Sequence, residues 1–112
     1  MIVRNFNQRE VQQGLYQAHG GAIASMLFDR RILQAILFLA HGVLGPGKEA
    51  EAHIDPYEEI YYILEGEAIM RVGDEERRVT KGDAIWIPIG VVHSMLNDGD
   101  ADCVTLVVAA EP

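Results

Sequence analysis

Apolar residues along this chain come in short runs punctuated at close spacing by turn-forming residues. Turn signals stand at HGG (19–21), GPG (45–47), Gly66, Gly73-Asp74, KGD (81–83), PIG (88–90) and NDGD (97–100). Between them lie ILQAILFLA (32–40), EEIYYILE (58–65), EAIMRV (67–72), RRVT (77–80), DAIWIP (83–88), VVHSML (91–96) and DCVTLVV (102–108). These runs have strand length and are rich in Ile, Val, Tyr and Trp, so they predict an all-β sandwich or barrel. Residues 32–40 also fit a helical face through Ile32, Ala35, Ile36 and Leu39, but are read as a strand. The GDEE stretch (73–76) predicts a hairpin turn, and the more polar residues 1–20 an N-terminal arm or edge strand.

Alternation along 58–65 sends Glu59, Tyr61 and Ile63 to one face and Ile60, Tyr62 and Leu64 to the other. Both faces of that strand are then apolar and need cover, from a second sheet or from another subunit, which makes a homodimer the expected assembly.

The 112 residues fit a single domain spanning 1–112, and a hydrophobic content of 49% suffices for a core without disulfides. Nine Lys plus Arg against seventeen Asp plus Glu give a formal charge of -8, which argues against nucleic acid and anionic membrane surfaces as partners. The longest apolar stretch, Ala35–Leu44, is about half of the roughly 20 residues a membrane span needs, and it contains His41. The N-terminus lacks an apolar signal core and one cysteine cannot form an internal bridge, so the expected location is cytoplasmic. Cys103, in an apolar run, reads as a small buried hydrophobe.

The segment GKEAEAHIDPYEEIYYILEG (47–66) brings metal-binding side chains to the edge of the core. On a strand His53 and Asp55 share a face roughly 6 to 7 Å apart. Pro56 favours an extended Asp55 and a turn that returns Glu59 beside them. A second block, GDAIWIPIGVVHSMLN (82–97), runs strand, turn, strand and offers His93. Histidines on apolar strands need a hydrogen-bond or metal partner.

The first block, Gly47-x5-His53-x-Asp55-x3-Glu59-x6-Gly66, resembles the first conserved motif of the cupin family. The second, Gly82-x5-Pro88-x-Gly90-x2-His93-x3-Asn97, is similar to the second cupin motif at every position. The resemblance implies a double-stranded β-helix or jelly-roll barrel of RmlC-like type, with His53, Glu59 and His93 binding a divalent metal and Asn97 in a structural role. Asp55 stands where the family usually has a second histidine. It can ligate directly, act through a water, or hydrogen-bond His53 from outside the coordination shell.

Two imidazoles with carboxylates suit iron or manganese, and also accept zinc, nickel or copper. His41 is a candidate fourth ligand, whereas His19 reads as a loop residue and Tyr61, Ile63 and Met95 as barrel filling. The expected function is a metal-dependent enzyme of dioxygenase, isomerase or lyase type acting on a small polar or anionic metabolite, with Asp55 as base if unligated. The alternative is a non-catalytic metal- or ligand-binding module. The same polar residues could also form a network with no ion.

Overall fold

A computed structural model describes residues 1–112. One helical turn, α1 (Arg9–Gln12), precedes ten strands: β1 (Tyr16–Ala18), β2 (Ala22–Asp29), β3 (Phe38–Leu44), β4 (Glu49–His53), β5 (Glu58–Glu65), β6 (Glu67–Val72), β7 (Glu75–Thr80), β8 (Ala84–Ile87), β9 (His93–Leu96) and β10 (Cys103–Ala110). They form a six-stranded sheet ordered β1-β2-β3-β10-β5-β8 and a four-stranded sheet ordered β4-β9-β6-β7. Every strand pairing is antiparallel. This is the all-β jelly roll that the alternation and the two motifs predict.

The inner faces carry the core. On β5 burial alternates, with Glu59, Tyr61 and Ile63 inside and Ile60 and Tyr62 exposed. Ala68 and Met70 from β6, Met95 from β9, Ile87 from β8 and Cys103 from β10 fill the space between the sheets. Cys103 is buried, as expected of a small apolar filler. The step from β5 to β6 takes the chain from one sheet to the other at Gly66, where φ is 79° and a Cβ would lie 2.2 Å from the Asp102 carbonyl oxygen. Only glycine fits there. Gly73 and Asp74 join β6 to β7 with a positive φ at the first position alone, the pattern of a type II′ turn. Asn97 is buried, donates to the carbonyls of Leu44 and Ala101 at 2.8 Å each, and accepts from the Gly99 amide. It braces the β9–β10 loop internally and ties it to the end of β3, the structural role its motif position implies.

Two readings of the pattern change. Residues 32–37 are a connection, not a strand, because the carbonyl of Asp29 accepts from the amides of Ile32 and Leu33 and turns the chain before β3 begins at Phe38. The strand lies earlier, at AIASMLFD, where partial burial on both sides blurs the alternation. Residues 1–20 form both arm and edge. The β1 strand pairs with the rim of the six-stranded sheet. The segment before it lies on that sheet's outer side: Val11 is buried, Phe6 stacks on His41 at 3.8 Å, and Arg4 donates to the Leu27 carbonyl at 3.0 Å.

Candidate metal centre

The β4 strand ends at His53, which pairs in register with His93, the first residue of β9. Both histidines therefore come from adjacent strand ends of the four-stranded sheet, with ring centroids 4.2 Å apart. Asp55 follows in the turn out of β4, held by its carbonyl accepting from the Gly90 amide at 3.0 Å. That contact joins the two motif blocks through their backbones. Glu59 enters from β5, on the opposing sheet, with its side chain turned inward.

Donor atoms converge here. His53 Nε2 stands 3.3 Å from Asp55 Oδ2, and His93 Nε2 stands 3.5 Å from the same oxygen and 3.3 Å from Glu59 Oε1. Donor atoms of His53, Asp55 and His93 all lie within 4.8 Å of one another, and Glu59 adjoins them through His93. Two donors each about 2.1 Å from one ion stand roughly 3 to 3.5 Å apart at octahedral or tetrahedral angles, so this spacing matches a shared cation.

Tautomers agree with that. His53 Nδ1 lies 2.7 Å from the carbonyl oxygen of Glu51, and His93 Nδ1 lies 3.0 Å from that of Val91. A carbonyl accepts only from N–H, which puts the ring proton on Nδ1 and leaves each Nε2 with a lone pair facing the centre. His53 Nε2, His93 Nε2 and Glu59 Oε1 are buried and have no hydrogen-bond partner. Three acceptors left unpaired at one point are costly unless a cation or protons lie among them. The residues present therefore fit a divalent metal.

The electrostatics carry the same mark. Burial raises the pKa of Glu59, as does the nearby Asp55, against the opposing pull of His93. For His93, burial disfavours the imidazolium, but Glu59, the Val91 carbonyl and the charge of Asp55 outweigh it, so its pKa is raised. Without an ion the cluster holds on to protons.

His19 and Tyr61, read from the sequence as loop and barrel filling, also gather here, as does Tyr57. His19, at the tip between β1 and β2, has φ 51° and stacks on His53 at 3.5 Å with the rings 6° from parallel. Its carbonyl accepts from the amide of Glu51 at 2.7 Å, and the amide of Gly21 donates to Glu49. A Cβ at Gly21 would lie 2.5 Å from the Glu49 carbonyl oxygen, so the HGG sequence lets this hairpin dock on β4. Burial first, then His53, lowers the pKa of His19. Tyr57 lies beside the site and Tyr61 meets His93 edge-on, with ring centroids 6.2 Å apart. Burial, reinforced by the carboxylates of Asp55 and Glu59, raises both phenol pKa values, so both stay protonated.

His41 is not at the centre. Its neighbours Ala40 and Gly42 line the interior, so β3 turns the His41 ring outward beneath Phe6. The fourth-ligand expectation for His41 is corrected accordingly.

Beside the donor atoms, and sharing Glu59 with them, a cleft of about 360 Å³ lies between the sheets, with His19, Tyr57, Tyr61, Tyr16, Met26 and Phe38 in its wall.

The model of the cupin domain family matches residues 40–109. The tetracenomycin polyketide synthase protein TcmJ of Streptomyces glaucescens is 30% identical over 82 residues, covering 72% of this chain and 55% of that protein, so this chain spans about half of its length. Among solved structures, a predicted oxalate decarboxylase from Thermotoga maritima superposes with a TM-score of 0.76 at 26% identity, covering 81% of each chain. The polyketide cyclase RemF from Streptomyces resistomycificus gives a TM-score of 0.73 at 25% identity, covering 84% of this chain and 68% of its own. With the two motif blocks paired side by side in both sheets of the barrel, β4 with β9 and β5 with β8, and the family model spanning them, this chain belongs to the cupin family.

Proposed function

We propose that this protein is a metal-dependent enzyme acting on a small molecule held in the cleft between its sheets. One observation carries the reading: two imidazoles of fixed tautomer aim buried, unpaired Nε2 atoms at the shared carboxylate of Asp55, beside the Glu59 that lines the cleft. His53, His93 and Asp55 form the tight donor group, and Glu59 adds a fourth donor from the opposite sheet. A divalent ion, iron, manganese, zinc, nickel or copper, would supply a Lewis acid for a substrate oxygen or, if redox-active, a place for dioxygen.

The protein's own groups then have distinct tasks. Tyr57 and Tyr61, kept protonated, donate hydrogen bonds to a bound molecule. The parallel stack of His19 on His53 fixes the plane of the ligand ring, and the His19 imidazole, which lines the cleft, is placed to take and return a proton. Asp55 lies between both imidazoles, which favours a ligand role for it and transfers the task of base to His19. Similarity to proteins named as a polyketide cyclase and a predicted oxalate decarboxylase supports an enzyme.

The competing reading is a binding module with a closed metal site. Water-proton relaxation of the manganese-loaded protein separates the two. Strong, field-dependent enhancement from a rapidly exchanging bound water is expected. Its absence would assign the domain to the module class.

We also propose that the chain forms a homodimer through the outer face of β5 and β8, where Ile60 and Trp86 are cross-strand partners with Tyr62 beside them.

A further inference from the structure

The chemistry of the cleft narrows what can enter it. Thirteen of its seventeen lining residues are hydrophobic, and no lysine or arginine is among them. Phe38 and Tyr57 meet edge-on at 5.8 Å and make one aromatic wall; Met26 and Met95 supply soft, adaptable surface. Polar groups are few: His19, Glu59 and the phenols of Tyr57 and Tyr61 near the metal end, the phenol of Tyr16 on β1, and Thr105 on β10.

Charge decides between substrate classes. An anion buried here finds no cationic side chain, and burying an unpaired charge is expensive. The ion would not compensate, because Asp55 and Glu59 together cancel the charge of a divalent cation. A cation would be drawn to the same carboxylates but would displace the metal or compete with it. The volume, near the lower end of the roughly 300 to 1,000 Å³ of small-molecule sites, suits a body of one or two rings.

We propose that the cleft takes an uncharged, largely apolar, ring-containing compound with a single hydroxyl or carbonyl oxygen, seated with that oxygen toward His53 and His93. This rests on the metal-enzyme reading above and replaces the expectation of a polar or anionic metabolite. Apolar area drives entry, and the oxygen selects orientation.

The test uses the full chain with methionine methyl groups labelled with carbon-13 and zinc bound, titrated with 2-naphthol, 2-naphthoate and oxalate and followed by NMR. Met26 and Met95 report on the cleft, while Met1, exposed at the N-terminus, serves as the internal control and Met70, the cross-strand partner of Met95, is read with it. Saturable shifts of Met26 and Met95 but not of Met1 with 2-naphthol, at least tenfold weaker binding of 2-naphthoate and none of oxalate are expected. Tighter binding of either anion, or naphthol shifts absent from Met26 and Met95, would overturn the proposal.

Repeating the titration on chelator-treated protein separates the two claims. Naphthol that still shifts Met26 and Met95 after chelation shows that the cleft assignment stands without the ion, and failure of the untreated protein to take up zinc then sinks only the metal reading. Ala22→Phe and Ala18→Trp each narrow the cleft from a different strand, so a folded form of either is expected to weaken naphthol tenfold or more. Unchanged affinity in a folded variant would contradict the assignment.

Discussion

At the scale of single residues, the site is a set of lone pairs and protons competing for one position. His93 has a raised pKa in the metal-free protein, so the protonated ring is favoured by folding. Its contribution to stability is complete below the ordinary histidine value of 6.5 and is lost as pH rises through the raised value. Glu59, raised by burial, has the same sign. Urea midpoints of metal-free protein should therefore fall as pH is taken upward from about 6, and added metal should restore them most at the alkaline end. A midpoint that rises over this range in metal-free protein would contradict the electrostatics of the cluster. Metal affinity runs the other way and should weaken as pH drops, because the ion must displace protons from the imidazoles.

Gly66 is a second residue whose chemistry is fixed by geometry. A side chain there meets both a left-handed backbone and the Asp102 carbonyl. Gly66→Ala should cost roughly 2 kcal/mol or more in a denaturant titration, whereas Gly82→Ala, with positive φ but open space, should cost less. Equal losses would show that backbone conformation, not the close approach, sets the penalty.

Among the elements, what the sequence disclosed depended on how one-sided each strand is. β5 alternates cleanly between core and outside, so its register and its inward Glu59 were legible. β2 exposes Ile23, buries Ser25 and leaves its other residues partly buried, so it was missed, while the apolar residues 32–37 that turn out of it resembled a strand. His53 and His93 were legible because each sits in a glycine-framed block. His19 was not, since its approach to His53 depends on a hairpin crossing to the other sheet, a contact with no local signature.

The N-terminal segment shows the converse. His41 looked like a possible ligand and instead supports Phe6 on the outer face. Burial lowers the pKa of His41, so its neutral form is favoured by folding: that stability is present above 6.5 and is lost as pH falls through the lowered value. Amide protection, relative to the intrinsic exchange rate at each pH, should fall in residues 1–14 between about pH 7 and pH 5 with less change in β5 and β10, and Phe6→Ala should bring the same loosening at pH 7. Uniform exchange across the chain at the lower pH would place the weak point elsewhere.

For the molecule as a whole, no helix is long and apolar enough to cross a membrane. The net charge of -8 discourages binding to phosphate backbones. The outer face of β5 and β8 leaves Ile60, Tyr62 and Trp86 at 45%, 43% and 60% exposure, which the proposed dimer would cover. Light scattering after size exclusion should give twice the chain mass, and Ile60→Glu with Trp86→Glu should give a folded monomer; a wild-type monomer at about 100 μM would remove that proposal.

The central claim is that side chains from two sequence blocks and two sheets hold one cation. It is tested most directly by the metal content of untagged protein purified without added metal, measured beside His93→Ala. About one transition metal per chain in the wild type, and little in a variant that keeps its β-sheet spectrum, is the predicted result. Equal trace amounts in both proteins, with the wild type unable to take up iron, manganese, zinc, nickel or copper on dialysis, would contradict it.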